Sequence, residues 1–164
     1  MHSRIFQIEN YPIFEDERLS SADFDCEHWF VREIADYVCD VDAREENIDM
    51  FIDDVIKPLG ECAELVQESG QVYFTLHHGF REKYFVERYK RFCTILQKLS
   101  LSITLEDFAS GEVGGDMYAL KSAYNDRYGW WVNSEDGLYT LDDWIRHAQT
   151  ETKYYLGGVL DYHF

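Results

Sequence analysis

The sequence predicts an α+β fold: a single compact domain over residues 1–164, with a mainly antiparallel sheet packed by three main helices. A length of 164 residues is typical of one domain. Hydrophobic residues make up 46% of the chain and aromatic residues 16%, which supplies a core that a disordered acidic chain lacks. Strand-like and helix-like segments do not alternate regularly, and this favours α+β over a doubly wound parallel sheet.

The first forty residues predict a strand, a loop and a helix. Residues 4–8 carry apolar side chains in a strand-like run, and residues 9–21 contain a proline and an acidic run typical of a loop. Ser20 or Ser21 is suited to cap a helix that reaches about Val38, because apolar residues recur at helical spacing between them.

A second helix is predicted from Asp42 to the stop signals Pro58 and Gly60. Asp42 has the chemistry of an N-cap, and Glu45 three residues later completes the layout of a capping box. The apolar residues follow the spacing of one buried helix face. They are Ile48, Phe51, Ile52, Val55 and Ile56.

A hairpin and a long helix follow. Residues 61–68 and 71–77 are predicted strands, joined by a turn at Ser69 and Gly70. Residues 80–99 are the strongest helix of the chain, with one apolar face that we expect to lie in the core. That face consists of Phe85, Tyr89, Phe92, Leu96 and Leu99.

The stretch after the long helix has weaker patterns. Residues 100–104 are predicted as a strand and residues 105–109 as a helical turn, followed by a loop at Gly111, Gly114 and Gly115. Residues 117–124 and 127–132 flank Asn125 and Asp126 and are typical of a hairpin, although residues 117–124 also fit a helix. The choice between strand and helix there stays open.

The C-terminal residues predict a capped helix and a final strand. Thr140 and Asp143 fit the cap of a short helix that ends near Ala148. Residues 153–162 are a predicted strand, in which Gly157 and Gly158 indicate a bulge or a close backbone approach. Trp130 and Trp131 would point to opposite faces of a strand.

Several classes of site are excluded by their missing motifs. The chain has no phosphate-binding P-loop, no G-x-S-x-G elbow and no H-E-x-x-H helix. A calcium loop starting at Asp40 fails, because its sixth and twelfth positions are Glu45 and Phe51. The four cysteines are widely spaced and are expected to be free, buried thiols. We therefore predict no cofactor and no metal site, and catalysis is the less favoured interpretation.

Hydropathy and net charge restrict location and partners. No apolar stretch approaches the ~20 residues that span a bilayer, and no secretion signal is recognisable at the N-terminus. The formal charge of −17 opposes direct binding to nucleic acid or to an anionic membrane. The expectation is a cytoplasmic protein that binds neither a membrane nor nucleic acid directly.

The charge is concentrated in the first part of the chain. Residues 1–68 hold nineteen acidic and five basic residues, a net charge of −14, which leaves −3 for the rest. Residues 33–54 hold nine acidic residues and one base, Arg44. Like charges one helical turn apart cost ~0.2–0.5 kcal/mol each, so a purely structural helix gains nothing from this arrangement.

The leading hypothesis is a small acidic interaction protein that presents this helical surface to a basic protein partner. We name the surface the acidic face, and it consists of Asp36, Asp40, Glu45, Glu46, Asp49, Asp53 and Asp54. Its most concrete version is a nucleic-acid mimic that inhibits a nucleic-acid-binding enzyme. The five acids from Glu45 to Asp54 would place one charge every ~3.4 Å along an α-helix, the spacing of phosphates along one strand of B-DNA. The plainest alternative is that acidity serves solubility alone.

A second hypothesis is a small enzyme or a ligand-binding domain. His77, His78 and Arg81 lie between a predicted strand and the helix of residues 80–99, which carries six bases and two acids. Side chains at such a junction can converge on a ligand. The same basic helix can instead pack against the acidic face, either within the chain or in a homodimer.

Overall fold

The computed structural model describes residues 1–68 and 70–164, and within them seven strands form one mixed sheet. The strand order is β3-β4-β7-β1-β5-β6, and β2 pairs with β7 beside this row. β1 and β5 run parallel, and the other pairings are antiparallel. The strands are β1 His2–Glu9, β2 Tyr37–Asp40, β3 Ala63–Glu68, β4 Gln71–Leu76, β5 Trp131–Ser134, β6 Gly137–Thr140 and β7 Lys153–His163.

Six α-helices occur in the same part of the chain, so the expectation of three main helices agrees only roughly with the structure. None of them is long and apolar enough to cross a membrane. They are α1 Trp29–Glu33, α2 Arg44–Phe51, α3 Phe80–Ser102, α4 Leu105–Ser110, α5 Gly114–Tyr124 and α6 Leu141–His147.

The central strands β1 and β7 carry core residues on both faces of the sheet. Phe6 and Ile8 belong to the larger hydrophobic cluster, whereas Ile5 belongs to a second cluster on the other side. The register of β1 with β7 shifts by one residue between the pairs Phe6–Val159 and Ile8–Leu156. This shift is a β-bulge in β7. An extra residue in one strand reverses the side-chain alternation beyond it, so the bulge decides which side chains of β7 enter which cluster.

The bulge lies at Gly157 and Gly158, where a close backbone approach was predicted and is confirmed. A Cβ atom on Gly158 would lie 2.6 Å from the carbonyl oxygen of Leu19. The buried Gln7 side chain accepts hydrogen bonds from the backbone N–H groups of Leu19 and Gly158, both at 2.8 Å. The glycines thus let the loop after β1 pass directly over β7.

The predicted helix from Ser20 or Ser21 to Val38 is wrong for most of its length. Only the five residues of α1 are α-helical, and Tyr37–Asp40 form β2. β2 pairs antiparallel with the end of β7, from Tyr37–His163 to Asp40–Leu160. Backbone pairing with the C-terminal strand therefore overrides the helical spacing of the apolar residues.

The predicted second helix is confirmed in its buried face but not in its boundaries. α2 begins at Arg44, and its N-cap residue is Ala43 instead of Asp42. The chain continues as a π-helical turn at Ile52–Ile56 and a 3-10 helix at Lys57–Cys62. The five apolar residues of the predicted face are all buried: Ile48, Phe51, Ile52, Val55 and Ile56.

The long helix α3 is confirmed, but its predicted core face is covered only in part: Phe85 and Phe92 are half-buried, and Phe85 packs against the larger cluster. Of that face only Leu99 is buried, and Tyr89 and Leu96 are 66% and 46% exposed. α3 extends to Ser102, so the strand predicted at residues 100–104 does not form. α3 packs against α5 and against the residues 57–62.

Between α4 and β6, the structure answers whether residues 117–124 form a strand or a helix. Residues 105–110 are helical as predicted, and residues 117–124 lie in α5, so the helical alternative is correct. The hairpin predicted at residues 117–132 is absent from this described segment. A hairpin instead joins β5 to β6.

The remaining local predictions mostly hold. β3 and β4 pair as an antiparallel hairpin, while Ser69 of the predicted turn lies outside the described residues. The hydroxyl oxygen of Thr140 accepts the backbone N–H of Asp143 at 3.2 Å, which confirms the cap of α6. All four cysteines are free, although Cys26 is exposed and the others are half-buried.

Candidate functional site

The seven carboxylates of the acidic face are all exposed to solvent, but they do not lie on one helix. Asp36 precedes the short strand β2 and Asp40 ends it. Glu45, Glu46 and Asp49 belong to α2, and Asp53 and Asp54 to the π-helical turn after it. The acidic face therefore combines an edge of the sheet with the outer side of a helical segment.

The buried apolar residues of the helical segment determine that its acids face the solvent. Ile48, Phe51 and Val55 turn inward to the larger cluster, so the acids between them in the sequence are left on the solvent side. Glu45 and Asp49 lie one turn apart on α2 and therefore on the same side. The π-helical turn departs from the α-helical rise, so the charge spacing of ~3.4 Å assumed for an unbroken α-helix does not extend to Asp53 and Asp54.

Arg44, the one base within residues 33–54, is mainly a structural anchor. Its Nε donates to the carbonyl oxygen of Gly157 at 2.7 Å, and its Nη2 donates to that of Leu156 at 3.2 Å. Burial lowers the pKa of Arg44, and its Nη1 also donates to Glu45 at 3.2 Å. Hydrogen bonds from the backbone and then from Arg44 lower the pKa of Glu45. The anchor holds the start of α2 over the bulge of β7 and neutralises little of the acidic face.

The basic helix α3 does not neutralise the acidic face either. Within residues 1–68 and 70–164, no ion pair joins a base of α3 to an acid of residues 33–54. Arg88 pairs with the buried Asp142 of α6, and Lys98 pairs with Asp116 of α5 at 2.7 Å. The expected packing of α3 against the acidic face within the chain is therefore not found in these residues.

An exposed aromatic residue lies next to the acids of β2. Tyr37 is 46% exposed and stacks on the ring of His163, whose Nδ1 lies 2.9 Å from Asp36. Asp40, at the other end of β2, accepts hydrogen bonds from the backbone N–H and the hydroxyl group of Ser21 at 2.9 and 2.7 Å. An exposed aromatic ring thus lies beside Asp36, and a second oriented carboxylate, Asp40, lies at the other end of β2.

In the described part of the chain, His77 and Arg81 of the alternative site contact different elements of the protein. His77 Nδ1 lies 2.9 Å from Glu151, and His78 is exposed. Arg81 donates to the backbone carbonyl oxygens of Arg146 and Ala148 at the end of α6. The guanidinium group is therefore engaged in joining α3 to α6, and a ligand site here stays a prediction without support from these contacts.

A cleft of about 600 Å³ at another place was missed by the sequence analysis. It opens where β1 and β5 end, and it is lined by Glu9, Glu135, Asp136 and residues of α6. The local signals were limited: Glu9 directly follows the strand predicted at residues 4–8, and Asp136-Gly137 is a dipeptide typical of turns. Their proximity was not predictable, because it depends on the parallel pairing of β1 with β5, and residues 127–132 had been assigned to a different hairpin.

Comparisons with protein-family models, curated proteins and solved structures found no match for this chain. Among residues 1–68 and 70–164, no group of three or more His, Cys, Asp or Glu side chains is placed to hold a metal ion. Functional inference therefore depends on the acidic face and the cleft themselves.

Proposed function

We propose that this protein is an interaction protein that presents its acidic face to a basic surface on a protein partner. The observation that carries the proposal is the exposure of all seven carboxylates without compensation from α3. Their described ion pairs are with bases outside α3: Glu45 with Arg44, Asp53 with Lys57 and Asp36 with His163. Exposed charges of one sign steer an oppositely charged partner and raise its association rate.

The energetic argument favours binding over a structural role for these acids. Glu45 and Asp49 repel each other across one helical turn, and Asp53 and Asp54 follow toward the negative end of the helical segment. A basic partner would relieve this repulsion, and Tyr37 supplies the aromatic anchor that frequently dominates interface energies. The most concrete partner in this proposal is a nucleic-acid-binding enzyme, whose basic cleft the carboxylates would occupy in place of phosphates.

A triple charge reversal, Asp49→Lys with Asp53→Lys and Asp54→Lys, tests the proposal. The matched control reverses three exposed acids outside the acidic face and changes the net charge equally: Glu82, Glu106 and Glu112, each to Lys. The two variants and the unmodified protein are immobilised, and proteins captured from a cell lysate are eluted across a salt gradient. Purified candidates are then titrated against all three proteins, with and without double-stranded DNA.

We expect a basic protein that binds the unmodified chain and the control but not the Asp49/Asp53/Asp54 variant. Screening should weaken this contact, so release is expected at moderate salt. Displacement by DNA would identify the partner's nucleic-acid cleft as the contact. Equal binding of both variants, or equal loss in both, would reject a specific acidic face and favour solubility as the role of the charge.

A second copy of the chain is the alternative partner. Lys83 and Arg91 of α3 are exposed and have no ion pair among the described residues. A homodimer formed through these bases would dissociate with salt and with the Asp49/Asp53/Asp54 reversal. Light scattering at low and high salt separates this case from a foreign partner, because a monomer at low salt leaves only the latter.

A further inference from the structure

The cleft lies at the carboxyl ends of the parallel pair β1 and β5. Glu9 is the last residue of β1 and Ser134 the last residue of β5, and both line the cavity. The β5–β6 turn forms a second wall and α6 a third. Crevices at the carboxyl ends of parallel strands are preferred ligand sites, and a volume of about 600 Å³ suits a small molecule.

The walls of the cleft carry negative charge without a Lys or Arg among them. Glu135 and Asp136 project from the exposed turn, and Glu9 lies at the carboxyl end of β1. The fourth carboxylate, Asp143, is already occupied, because it accepts a hydrogen bond from Arg146 at 2.9 Å. Three carboxylates in one cleft thus remain to bind a positively charged ligand.

Glu9 is the most unusual of these groups, because it is only 7% exposed and lacks a basic partner among the described residues. Its Oε2 accepts the backbone N–H of Glu135 at 3.1 Å, while its Oε1 has no hydrogen bond to the described residues. Burial raises the pKa of Glu9, the hydrogen bond from Glu135 opposes this, and the charges of Glu135 and Asp136 add to the rise. A buried carboxylate next to two others is stabilised when a cation binds it.

The floor and the side of the cleft are aromatic. Trp144 and Tyr154 are buried against each other with ring centroids 5.0 Å apart, and the Tyr154 hydroxyl oxygen accepts the backbone N–H of Gln149 at 2.6 Å. Tyr139 is partly exposed and lines the same cavity. Aromatic rings attract ammonium groups and also pack against the methylene groups between them.

We propose that this cleft binds a flexible aliphatic polyamine, with one ammonium group on Glu9 Oε1 and another between Glu135 and Asp136. A metal ion fits less well, because the described carboxylates do not converge in a group of three. An anion is disfavoured by the charge of the walls. A single small ammonium ion would leave most of the volume unfilled and the outer carboxylates unpaired. The site shares no residue with the acidic face, so it is independent of the proposed function.

Calorimetric titration with spermidine at low ionic strength tests the proposal. The comparison ligands are 1,8-octanediol, an uncharged chain of comparable length, and Mg²⁺ alone. The decisive variant is Glu9→Gln, which keeps an oxygen acceptor for the Glu135 N–H and removes the charge. Glu46→Gln removes one charge from the acidic face and is the matched control. A change in tryptophan fluorescence that disappears in Trp144→Phe locates the binding event, because Trp144 is the one tryptophan among the lining residues of the cleft.

We expect spermidine to bind and octanediol not to bind. Glu9→Gln should weaken the binding about tenfold or more, since the ammonium group loses its charged hydrogen-bond acceptor. Glu46→Gln should leave the affinity within about twofold, because the charge it removes lies outside the cleft and its effect is screened. If Glu9→Gln fails to fold, Asp136→Asn in the exposed turn serves in its place and should also weaken binding.

Several results of the same titrations would contradict the polyamine proposal. Absence of binding, equal binding of octanediol, or unchanged affinity in Glu9→Gln would overturn the proposal. An equal loss in Glu46→Gln would show that spermidine follows the overall charge of the protein instead of the cleft. Binding of Mg²⁺ that depends on Glu9, without binding of spermidine, would replace the polyamine by a metal ion.

Discussion

Two amphipathic helical segments of this protein differ in how much of their apolar face is buried. The segment from α2 through Cys62 buries all five residues of its apolar face, whereas α3 buries Leu99 alone among the five residues of its predicted face. The polar sides differ as well. The acids of α2 face solvent, while the bases of α3 are largely engaged with α5, α6 and the helix itself.

The difference arises from what lies next to each segment. α2 packs on the sheet and is tied to β7 through Arg44. α3 has 23 residues and is therefore about 35 Å long. It is anchored near its start by Phe80, Arg81 and Arg88, and its later turns contact α5. Periodicity identifies an apolar face, but the neighbouring elements decide whether that face is covered.

The largest expected contrast is between Phe51→Ala and Tyr89→Ala. Phe51 is fully buried against Phe6 and Phe74, so its truncation should reduce the free energy of unfolding by about 3–5 kcal/mol. Tyr89 lies on α3 but is mostly exposed, so its truncation should change stability by about 0.5 kcal/mol or less. Urea denaturation measures both, and similar losses would mean that the face of α3 is covered in solution.

The buried ion pair between Arg88 of α3 and Asp142 of α6 should contribute more to stability than the exposed pair between Lys98 of α3 and Asp116 of α5. Asp142, 3% exposed in its side chain, accepts hydrogen bonds from Arg88, from the Tyr84 hydroxyl and from the Asp126 N–H. Asp142→Ala should therefore cost about 2–4 kcal/mol, because three donors lose their acceptor. Asp116→Ala removes the more exposed pair with Lys98 and should cost about 1 kcal/mol or less. Thermal unfolding of both variants decides whether this order holds.

Arg44→Met tests the anchor of the acidic segment. The substitution removes the hydrogen bonds to the carbonyl oxygens of Leu156 and Gly157, and we expect a loss of about 1–3 kcal/mol. Amide hydrogen exchange should increase first at the start of α2 and in β7. If exchange increases uniformly or stays unchanged, Arg44 does not anchor the segment.

The smallest predicted effects have opposite signs in the two segments. Asp49→Asn on α2 relieves repulsion with Glu45 and Asp53 and should raise stability by about 0.5 kcal/mol. Glu87→Gln on α3 removes the ion pair between Glu87 Oε1 and Lys90 Nζ, which lie 2.6 Å apart. This change should lower stability by up to about 0.5 kcal/mol. Both effects should fade in 1 M salt. The same sign for both variants at low salt would contradict the difference in charge environment.

Predictions from local sequence were most accurate where the determining contacts are themselves local. The cap of α6 joins Thr140 to a backbone group three residues away, and the buried face of α2 follows from its spacing. The helix predicted through Val38 failed because β2 pairs with residues 120 or more positions later. The cleft was missed for the same reason, since Glu9 meets Glu135 only through the pairing of distant strands.

The sequence by itself determined the mixture of strands and helices, the apolar face of α2, and the concentration of acidic residues before residue 69. These features depend on spacing and on composition, both of which are local properties. Only the tertiary structure decided that β2 is a strand, that α3 stays partly uncovered and that a buried glutamate faces an acidic cleft. Those outcomes depend on which distant segments become neighbours, because desolvation and strand pairing act between elements that the chain brings together only on folding.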